Sequence, residues 1–291
     1  MSGSSEGLAV GGGNTEAYAV FGNPIKHSKS PAIHTQFAAQ LGEDISYRAV
    51  AVEDPDFEDR VRSFFQRGGK GLNVTVPYKE RAFALADSVS NAARRAEAAN
   101  CLLPLPTGQI HADNTDGMGM IRDMVANLGW QLQGRRALII GAGGAVRGIL
   151  HPLLAEGIES LAVVNRTPQR AHDLVSKLGD LSSNVLAGGL KDVAGQTFDL
   201  VINGTSAGLA GEMPQVSGVR LAERCCCYDL FYAAQPTTFM QWAASNAAWA
   251  ISDGLGMLVE QAAESYFIWR QRRPGTESVI AQLRAQLLAQ S

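Results

Sequence analysis

The stretch RALIIGAGGAVRGILHPLL, residues 136–154, decides the fold of half of this chain. Its apolar run at residues 137–140 predicts a buried β-strand, and the glycines that follow predict a tight turn. Apolar residues then recur on one face as far as Leu154, which predicts a helix. A second apolar run, from Leu161 to Val164, completes a strand–helix–strand unit. Such units build a parallel sheet with helices on its faces.

The turn in this unit has the glycine spacing of a dinucleotide-binding loop. Gly141 permits the tight turn, and Gly143 lets the backbone approach a pyrophosphate at the helix N-terminus. Val146 stands where that pattern has glycine or alanine, so the flanking strands and helix carry the prediction. The alternative is a glycine-rich turn without a ligand. The predicted cofactor contacts of this loop are Gly141, Ala142, Gly143, Gly144 and Ala145.

The end of the second strand indicates which dinucleotide is bound. An NAD site places Asp or Glu there to accept from the ribose 2′-hydroxyl. This chain has Asn165, Arg166 and Thr167 instead, with Arg170 one helical turn later. A guanidinium binds a 2′-phosphate bidentately, whereas a carboxylate repels it. The sequence therefore favours NADP(H), the alternative being that the two arginines only begin a solvated helix.

A second strand–helix pattern occupies the first hundred residues. Residues 17–21, 47–52 and 72–76 predict strands of another parallel sheet, and Ser30 before a proline predicts a helix N-cap. We expect a two-domain α/β protein, in which an N-terminal α/β substrate domain precedes a Rossmann-like, doubly wound parallel sheet. The expected boundaries are a flexible leader at 1–15, a substrate domain at 16–115 completed by 256–291, and a nucleotide domain at 116–255.

Composition narrows the classes of partner. The 291 residues are 46% hydrophobic and 18% charged, with a net charge of −3, which disfavours nucleic acid and anionic membranes as partners. Cys101 and the run 225–227 predict buried thiols of a reducing compartment, and no signal peptide is evident. His27 and His34 have no third ligand nearby, so we expect no metal. A cytoplasmic monomer or homodimer is expected.

Two polar residues are suited to ketone reduction. Such a reaction needs a proton donor near the carbonyl, because hydride addition creates an alkoxide. Lys79 follows a predicted strand end, and Asp116 lies where the two domains join. An ammonium at Lys79, oriented by Asp116, could supply the proton. The alternative is an ordinary surface ion pair.

Eight motifs together resemble the shikimate dehydrogenase family. They are GNPIKHSKSP at 22–31, NVTVPYKE at 73–80, NTDGMG at 114–119, GAGGA at 141–145, NRT at 165–167, NGTSAG at 203–208, YDLFY at 228–232 and DGLGMLVEQAA at 253–263. The resemblance implies NADPH-dependent, reversible reduction of 3-dehydroshikimate to shikimate in aromatic amino-acid biosynthesis. Gly204 departs from the alanine commonest in the NGTSAG motif of the family.

The resemblance also implies roles for single residues. Lys79 and Asp116 become the catalytic pair. Ser28, Ser30 and Tyr232 would hold the substrate carboxylate, and Thr75, Asn100 and Gln261 would contact its hydroxyls. Thr205, Gly254 and Met257 would line the cofactor site. Two alternatives stay open: a quinate/shikimate dehydrogenase of relaxed specificity, and a non-catalytic regulator on the same scaffold, which would have no need of Lys79 and Asp116.

Overall fold

The fold is described from a computed structural model over residues 15–205 and 218–289. The expected leader therefore lies outside the described residues, except for Thr15. The chain divides into two compact units: Met1–Thr115 with Ala262–Gly275, and Asp116–Gln261 with Thr276–Ser291. We expected all of 256–291 to complete the first domain, whereas only its middle part groups there. Within the second unit, Thr276 donates to Glu260 and Arg284 donates to Asp253.

The first unit is built on a six-stranded mixed sheet. Its strands are β1 (Glu16–Gly22), β2 (Ile45–Ala51), β3 (Gly71–Val74), β4 (Ser88–Val89), β5 (Cys101–Pro104) and β6 (Ile110–Asp113), in the order β2-β1-β3-β5-β6-β4. Strands β1, β2 and β3 are parallel, as the sequence predicts. Strand β5 runs antiparallel to both β3 and β6, so the expectation of a wholly parallel sheet was wrong. A tight turn joins β5 to β6, where Leu105 N donates to Gln109 O at 2.8 Å.

Helices cover this sheet and bury their aromatic residues against it. They are α1 (Ser30–Leu41), α2 (Phe57–Gln66), α3 (Lys79–Leu85) and α4 (Asn91–Ala96), with a 3₁₀ turn at Asp54–Asp56. Phe57, Val61 and Phe64 of α2 pack with Phe21 of β1 in one buried cluster. Gly42 ends α1 in the left-handed region, φ 65°, which glycine adopts readily. The N-cap of α1 is Lys29 and not Ser30, whose N–H is instead taken up by Ser28 Oγ at 3.3 Å.

The second unit contains a six-stranded, entirely parallel sheet. Its strands are β7 (Arg136–Ile140), β8 (Ser160–Val164), β9 (Val185–Gly188), β10 (Thr197–Asn203), β11 (Arg220–Asp229) and β12 (Ala250–Asp253), in the order β12-β11-β10-β7-β8-β9. Relative to β7 as the first strand, this is the order 6-5-4-1-2-3 of a Rossmann sheet, which confirms the doubly wound prediction. Ligands of such sheets bind beyond the carboxyl ends of the strands, where the winding reverses, here between β7 and β10.

The helices of this unit lie on both faces of the sheet. They are α5 (Asp116–Arg122), continued by a π-helical turn at Asp123–Asn127, then α6 (Gly144–Ala155), α7 (Pro168–Ser176), α8 (Thr238–Ser245), α9 (Leu255–Arg270) and α10 (Glu277–Ala289), with a 3₁₀ helix at Gly179–Asn184. The last part of α9 belongs to the first unit. Ala137 and Ile139 of β7 pack in one core cluster, and Leu138 and Ile140 in the other. The alternation shows that both faces of β7 are buried.

The cysteines follow the same alternation. All four are free and buried, as predicted, with Cys226 in one core cluster of the second unit and Cys225 and Cys227 in the other. Burial raises the pKa of the Cys101 and Cys226 thiols, which keeps them protonated and unreactive. Among the helices of residues 15–205 and 218–289, none is long and apolar enough to span a membrane.

Candidate active site

In the first unit, the loops after β1 and β3 are joined by hydrogen bonds. Thr75 N donates to Phe21 O at 2.9 Å, and Asn23 N donates to Val76 O at 3.1 Å. These loops leave the carboxyl ends of two neighbouring parallel strands, the edge at which ligands of such sheets bind. Four of the predicted site residues lie on these loops or directly after them: Ser28, Ser30, Thr75 and Lys79.

Lys79 is the first residue of α3 and is half-buried. Its carbonyl oxygen accepts from Ala99 N at 2.8 Å, which fixes the start of the helix beside Asn100. On the preceding residue, Tyr78 N donates to Thr75 O at 3.0 Å. The backbone therefore brings Thr75, Lys79 and Asn100 into one region of the first unit.

The side chain of Asn100 is held on both of its amide atoms. Its Nδ2 donates to Thr115 Oγ1 at 2.9 Å, and its Oδ1 accepts from Thr115 N at 2.8 Å. Asn100 is 3% exposed and Thr115 is 1% exposed, so these bonds are shielded from water. A buried amide with both atoms engaged has one orientation, which is what a directional substrate contact requires.

A buried network behind Asn100 was missed by the sequence analysis as part of the site. Asn73 Nδ2 donates to Asn100 O and to Ser265 Oγ, both at 2.9 Å, and Tyr47 Oη donates to Asn73 Oδ1 at 2.7 Å. Ser265 Oγ in turn lies 3.3 Å from Thr115 Oγ1. A signal existed for Asn73, an amide inside a predicted apolar strand. Tyr47 and Ser265 lie on amphipathic elements and gave none.

Ser30 and His34 lie beside Tyr47, a member of this network. Burial raises the pKa of Tyr47 well above its usual value, and a hydrogen bond with the Ser30 side chain opposes that shift. His34 is fully buried, stacks on Tyr47 with ring centroids 4.1 Å apart, and has its pKa lowered by burial to about 3. His34 is thus a neutral aromatic core residue. Ser28 is half-buried and accepts the Ser30 N–H.

In the second unit, α5 and α9 carry three more of the predicted residues. Asp116 begins α5 and is 7% exposed. The two helices pack closely, since a Cβ added to Gly119 of α5 would lie 2.9 Å from Met257 O and 2.7 Å from Gln261 Cβ. Gln261 Nε2 donates to Leu258 O of its own helix at 2.8 Å, and the oxygen of the same amide is an acceptor, the chemistry that suits a ligand hydroxyl.

Tyr232 lies on the loop that follows β11. The ring is half-buried, and burial first, with the charge of Asp253 second, raises the pKa of its hydroxyl. The phenol is therefore a neutral donor near neutral pH, suited to a carboxylate. On the preceding residue, Phe231 N donates to Asp229 Oδ1 at 3.1 Å.

The loop between β7 and α6 fits a dinucleotide. Gly141 has φ +113°, a conformation that favours glycine, and its N–H donates to Val164 O at 2.7 Å. Gly143, Gly144 and Ala145 are exposed at the start of α6. Among the described residues, no atom lies within 4 Å of a Cβ added to Gly143 or Gly144. The fold therefore does not need glycine at these two positions, whereas a pyrophosphate approaching the helix start would.

The segment after β8 presents its side chains to solvent. Arg166, Thr167 and Arg170 are exposed, and Asn165 Nδ2 donates to Thr167 O at 3.0 Å. Neither arginine has an ion-pair partner within 15–205 and 218–289, so both guanidiniums are available to an anion. Thr205 donates through both its N–H and its hydroxyl to Asn203 Oδ1, and Gly254 N donates to Phe231 O at 3.2 Å.

A search of the described residues finds no group of three His, Cys, Asp or Glu placed to hold a metal ion. Asp123 of the second unit, for example, accepts a hydrogen bond from Tyr228 Oη at 2.6 Å.

Comparison with known proteins finds relatives along most of the chain. Three family models match: the shikimate dehydrogenase substrate binding domain at 20–102, shikimate / quinate 5-dehydrogenase at 123–210, and the shikimate 5′-dehydrogenase C-terminal domain at 254–284. Shikimate dehydrogenase (NADP(+)) of Cellvibrio japonicus is 50% identical over 273 residues, which cover 94% of this chain and 98% of that protein.

Two solved structures are similar throughout. An Ael1 enzyme from Pseudomonas putida has a TM-score of 0.86 at 42% identity, covering 92% of this chain and 98% of that one. Shikimate 5-dehydrogenase from Thermus thermophilus, in complex with NADP(H) and shikimate, has a TM-score of 0.81 at 31% identity, covering 93% and 99%.

Proposed function

The chain belongs to the shikimate dehydrogenase family and is an NADP-dependent oxidoreductase, and from this premise we propose that it reduces 3-dehydroshikimate to shikimate reversibly, with Lys79 and Asp116 handling the proton. The observation that carries the proposal is the set of backbone hydrogen bonds that hold Thr75, Lys79 and Asn100 in one region. These are the residue types that a small hydroxylated ketone requires. The reaction serves aromatic amino-acid biosynthesis.

The substrate is bound by directional polar groups rather than by an arginine. We assign its carboxylate to the hydroxyls of Ser28, Ser30 and Tyr232, and its hydroxyls to Thr75, Asn100 and Gln261. Thr115 holds the Asn100 amide in one orientation, so a substrate that lacks the matching hydroxyl would leave polar groups of the binding site without the hydrogen bonds they make to shikimate. Such an unpaired group costs about 1–3 kcal/mol, which supports discrimination among similar acids.

Proton transfer falls to Lys79. When bound, NADPH supplies the hydride that reduces the ketone. Lys79 Nζ gives a proton to the carbonyl oxygen as negative charge develops there, and takes it back in the direction of shikimate oxidation. Asp116 orients the ammonium. Burial of Asp116 excludes water from that carboxylate and strengthens its interaction with a cation.

NADP(H) is held by the exposed start of α6 and by the segment after β8. Backbone N–H groups of Gly143, Gly144 and Ala145 would meet the pyrophosphate, with Gly141 and Ala142 shaping the turn. Arg166 and Arg170, with Asn165 and Thr167, would bind the 2′-phosphate, which the exposure of both guanidiniums supports. Thr205, Gly254 and Met257 are assigned to the remainder of the cofactor.

The compartment and the assembly are further proposals. Four free, buried cysteines are typical of proteins in a reducing compartment, which supports the cytoplasm. The net charge of −3 supports an enzyme that does not bind nucleic acid. We propose a monomer or a homodimer, which sedimentation of the purified protein would distinguish.

Replacement of Lys79 tests the chemistry. Lys79→Ala should lower kcat for shikimate oxidation by roughly a hundredfold or more, with KM changed less, because the general acid–base group is lost. Lys70→Ala is the matched control, since Lys70 is an exposed lysine at the opposite end of β3. Turnover of Lys79→Ala at the wild-type rate would refute the role of Lys79.

Specificity is tested on the unmodified enzyme. Shikimate and quinate are each offered with NADP+ or NAD+, and nicotinamide reduction is followed by absorbance. We expect shikimate with NADP+ to be the best pair. Equal use of quinate would instead identify the enzyme of relaxed specificity, and no turnover with any pair would favour the regulator.

A further inference from the structure

The loop that carries Tyr232 is held by charged side chains on both sides of that residue. On the N-terminal side, Phe231 N donates to Asp229 Oδ1 at 3.1 Å, and Phe231 O accepts from Gly254 N. On the C-terminal side, Ala233 O accepts from Arg284 Nη1 at 3.1 Å. The peptide groups flanking Tyr232 are thus fixed by hydrogen bonds. The bond from Arg284 is the one that comes from outside the loop and its sheet.

Arg284 lies on α10, some fifty residues further along the chain. Its other terminal nitrogen, Nη2, donates to Asp253 Oδ1, which also accepts Leu255 N at the start of α9. One guanidinium therefore connects the Tyr232 loop with the turn that contains Gly254. The planar fork of arginine donates in two fixed directions, which a more compact ammonium does not reproduce.

Two buried carboxylates next to the Tyr232 loop explain why a cation is needed there. Asp229 and Asp253 end neighbouring strands, pair in register, and are 1% and 4% exposed. Asp229 is satisfied by neutral donors: Asn203 Nδ2 at 3.0 Å, Phe231 N, and Thr237 Oγ1 at 2.6 Å. Within residues 15–205 and 218–289, the one cation described in contact with this pair is Arg284, which forms an ion pair with Asp253. Without it, two buried carboxylates would face each other uncompensated.

We propose that Arg284 is a positioning residue for Tyr232, fixing the phenol where it meets the substrate carboxylate. The inference rests on the proposed substrate contact of Tyr232. Arg284 touches neither substrate nor cofactor in this assignment and acts only through the Ala233 carbonyl and Asp253. The C-terminal helix is therefore part of the substrate-binding apparatus, although it carries no residue that contacts the ligand.

A double-mutant cycle in the full-length enzyme tests this inference. Tyr232→Phe removes the hydroxyl and should raise KM for shikimate about tenfold, the equivalent of one charge-assisted hydrogen bond. Arg284→Gln should raise the same KM by a similar factor and KM for NADP+ less, because Gly254 keeps its own hydrogen bond to Phe231 O. Because Arg284 acts through Tyr232, the double variant should resemble Tyr232→Phe alone.

Arg136→Gln is the matched control. Arg136 also forms an ion pair with an aspartate of the same sheet, Asp199, and is 41% exposed against 37% for Arg284, but it lies at the amino ends of the strands. Its KM for shikimate should be that of the wild type. If the glutamine variant folds poorly, Arg284→Lys replaces it, because lysine keeps the positive charge. We expect Arg284→Lys to raise KM for shikimate by a smaller factor, and to have no further effect in the Tyr232→Phe background.

Three results would overturn the inference. If the two single effects multiply to roughly a hundredfold in the double variant, Arg284 acts independently of Tyr232. If Arg284→Gln and Arg284→Lys both keep the wild-type KM, the loop needs no such support. If Tyr232→Phe alone leaves KM unchanged, the substrate role of Tyr232 fails first and the inference falls with it, whereas the other two results leave that role intact.

Discussion

Gly143 and Gly256 are both glycines next to the proposed cofactor site, yet their surroundings are opposite. Gly143 is exposed, and a Cβ added there would have no described atom within 4 Å. Gly256, in the first turn of α9, is buried, and an added Cβ would lie only 1.9 Å from Asp123 Oδ1. Among the described residues, packing of the chain against itself therefore requires glycine at position 256 and not at position 143.

The contrast separates two reasons for glycine that a sequence cannot distinguish. Gly256 is required by Asp123, a buried carboxylate that accepts hydrogen bonds from Tyr228 Oη at 2.6 Å and Asn127 Nδ2 at 3.0 Å. Gly143 has φ −94° and ψ −177°, extended backbone that any residue adopts. Packing of the described residues therefore does not require glycine at position 143, and the proposed approach of the cofactor is the reason for it that can be tested.

The largest effect is expected for Gly256→Ala. The new methyl would displace the Asp123 carboxylate and break its bonds to Tyr228 and Asn127. Overpacking together with buried polar groups left unpaired should lower the free energy of unfolding by about 3 kcal/mol. Urea denaturation at equilibrium measures this, and an unchanged midpoint would show that α9 has room to shift.

Gly143→Ala should have the opposite signature. The methyl meets no described protein atom, and the poorer N-cap that alanine gives α6 offsets the entropy gained by replacing glycine, so the free energy of unfolding should change by less than about 1 kcal/mol. The dissociation constant of NADPH, measured by fluorescence titration, should increase roughly tenfold or more, because the methyl stands where a pyrophosphate approaches. Unchanged NADPH affinity would break the comparison, because Gly143 would then have no role that the structure can identify.

Local patterns predicted the elements that position the site. The strand, turn and helix at 136–154 became β7 and α6 within a residue or two, because a buried strand followed by an amphipathic helix leaves a strong periodic signal. Strand β5 was missed because four residues, one of them proline, carry almost no periodicity. Its antiparallel pairing to β3 depends on residues brought together only by folding.

The candidate site likewise contains residues that the sequence predicted and residues that it could not predict. Lys79 follows a strand end, as its motif predicts, whereas Asn100 directly precedes β5, a strand that the sequence did not predict. Their support could not be predicted, because Asn73 meets Tyr47 across 26 residues and Ser265 across 192. The sequence of α10 likewise does not indicate which unit the helix joins, and only the structure shows that its Arg284 bonds to Ala233 and Asp253 of the second unit.

Two departures from pattern, Val146 and Gly204, explain each other in the structure. Val146 stands where the dinucleotide loop usually has glycine or alanine, and Gly204 where the family commonly has alanine. A Cβ added to Gly204 would lie 2.3 Å from Val146 Cγ2, and the next nearest atom, Leu230 Cδ1, is at 3.4 Å. The larger side chain in α6 thus occupies the space that a methyl on residue 204 would fill.

The smallest predicted effect measures this exchange. Gly204→Ala alone should destabilise the protein by about 1–2 kcal/mol through overpacking, and Val146→Ala alone by about 2 kcal/mol through the cavity it leaves. In the double variant the new methyl enters that cavity, so the loss should be smaller than the sum by about 1 kcal/mol. Gly143→Ala combined with Val146→Ala is the control, since a methyl on residue 143 reaches no described atom and the two changes in the free energy of unfolding should add. If the Gly204→Ala and Val146→Ala losses also add, residue 204 can move away from α6 and the two side chains do not compete for one space. Gly204, like Gly143, would then not be required by the protein's own packing.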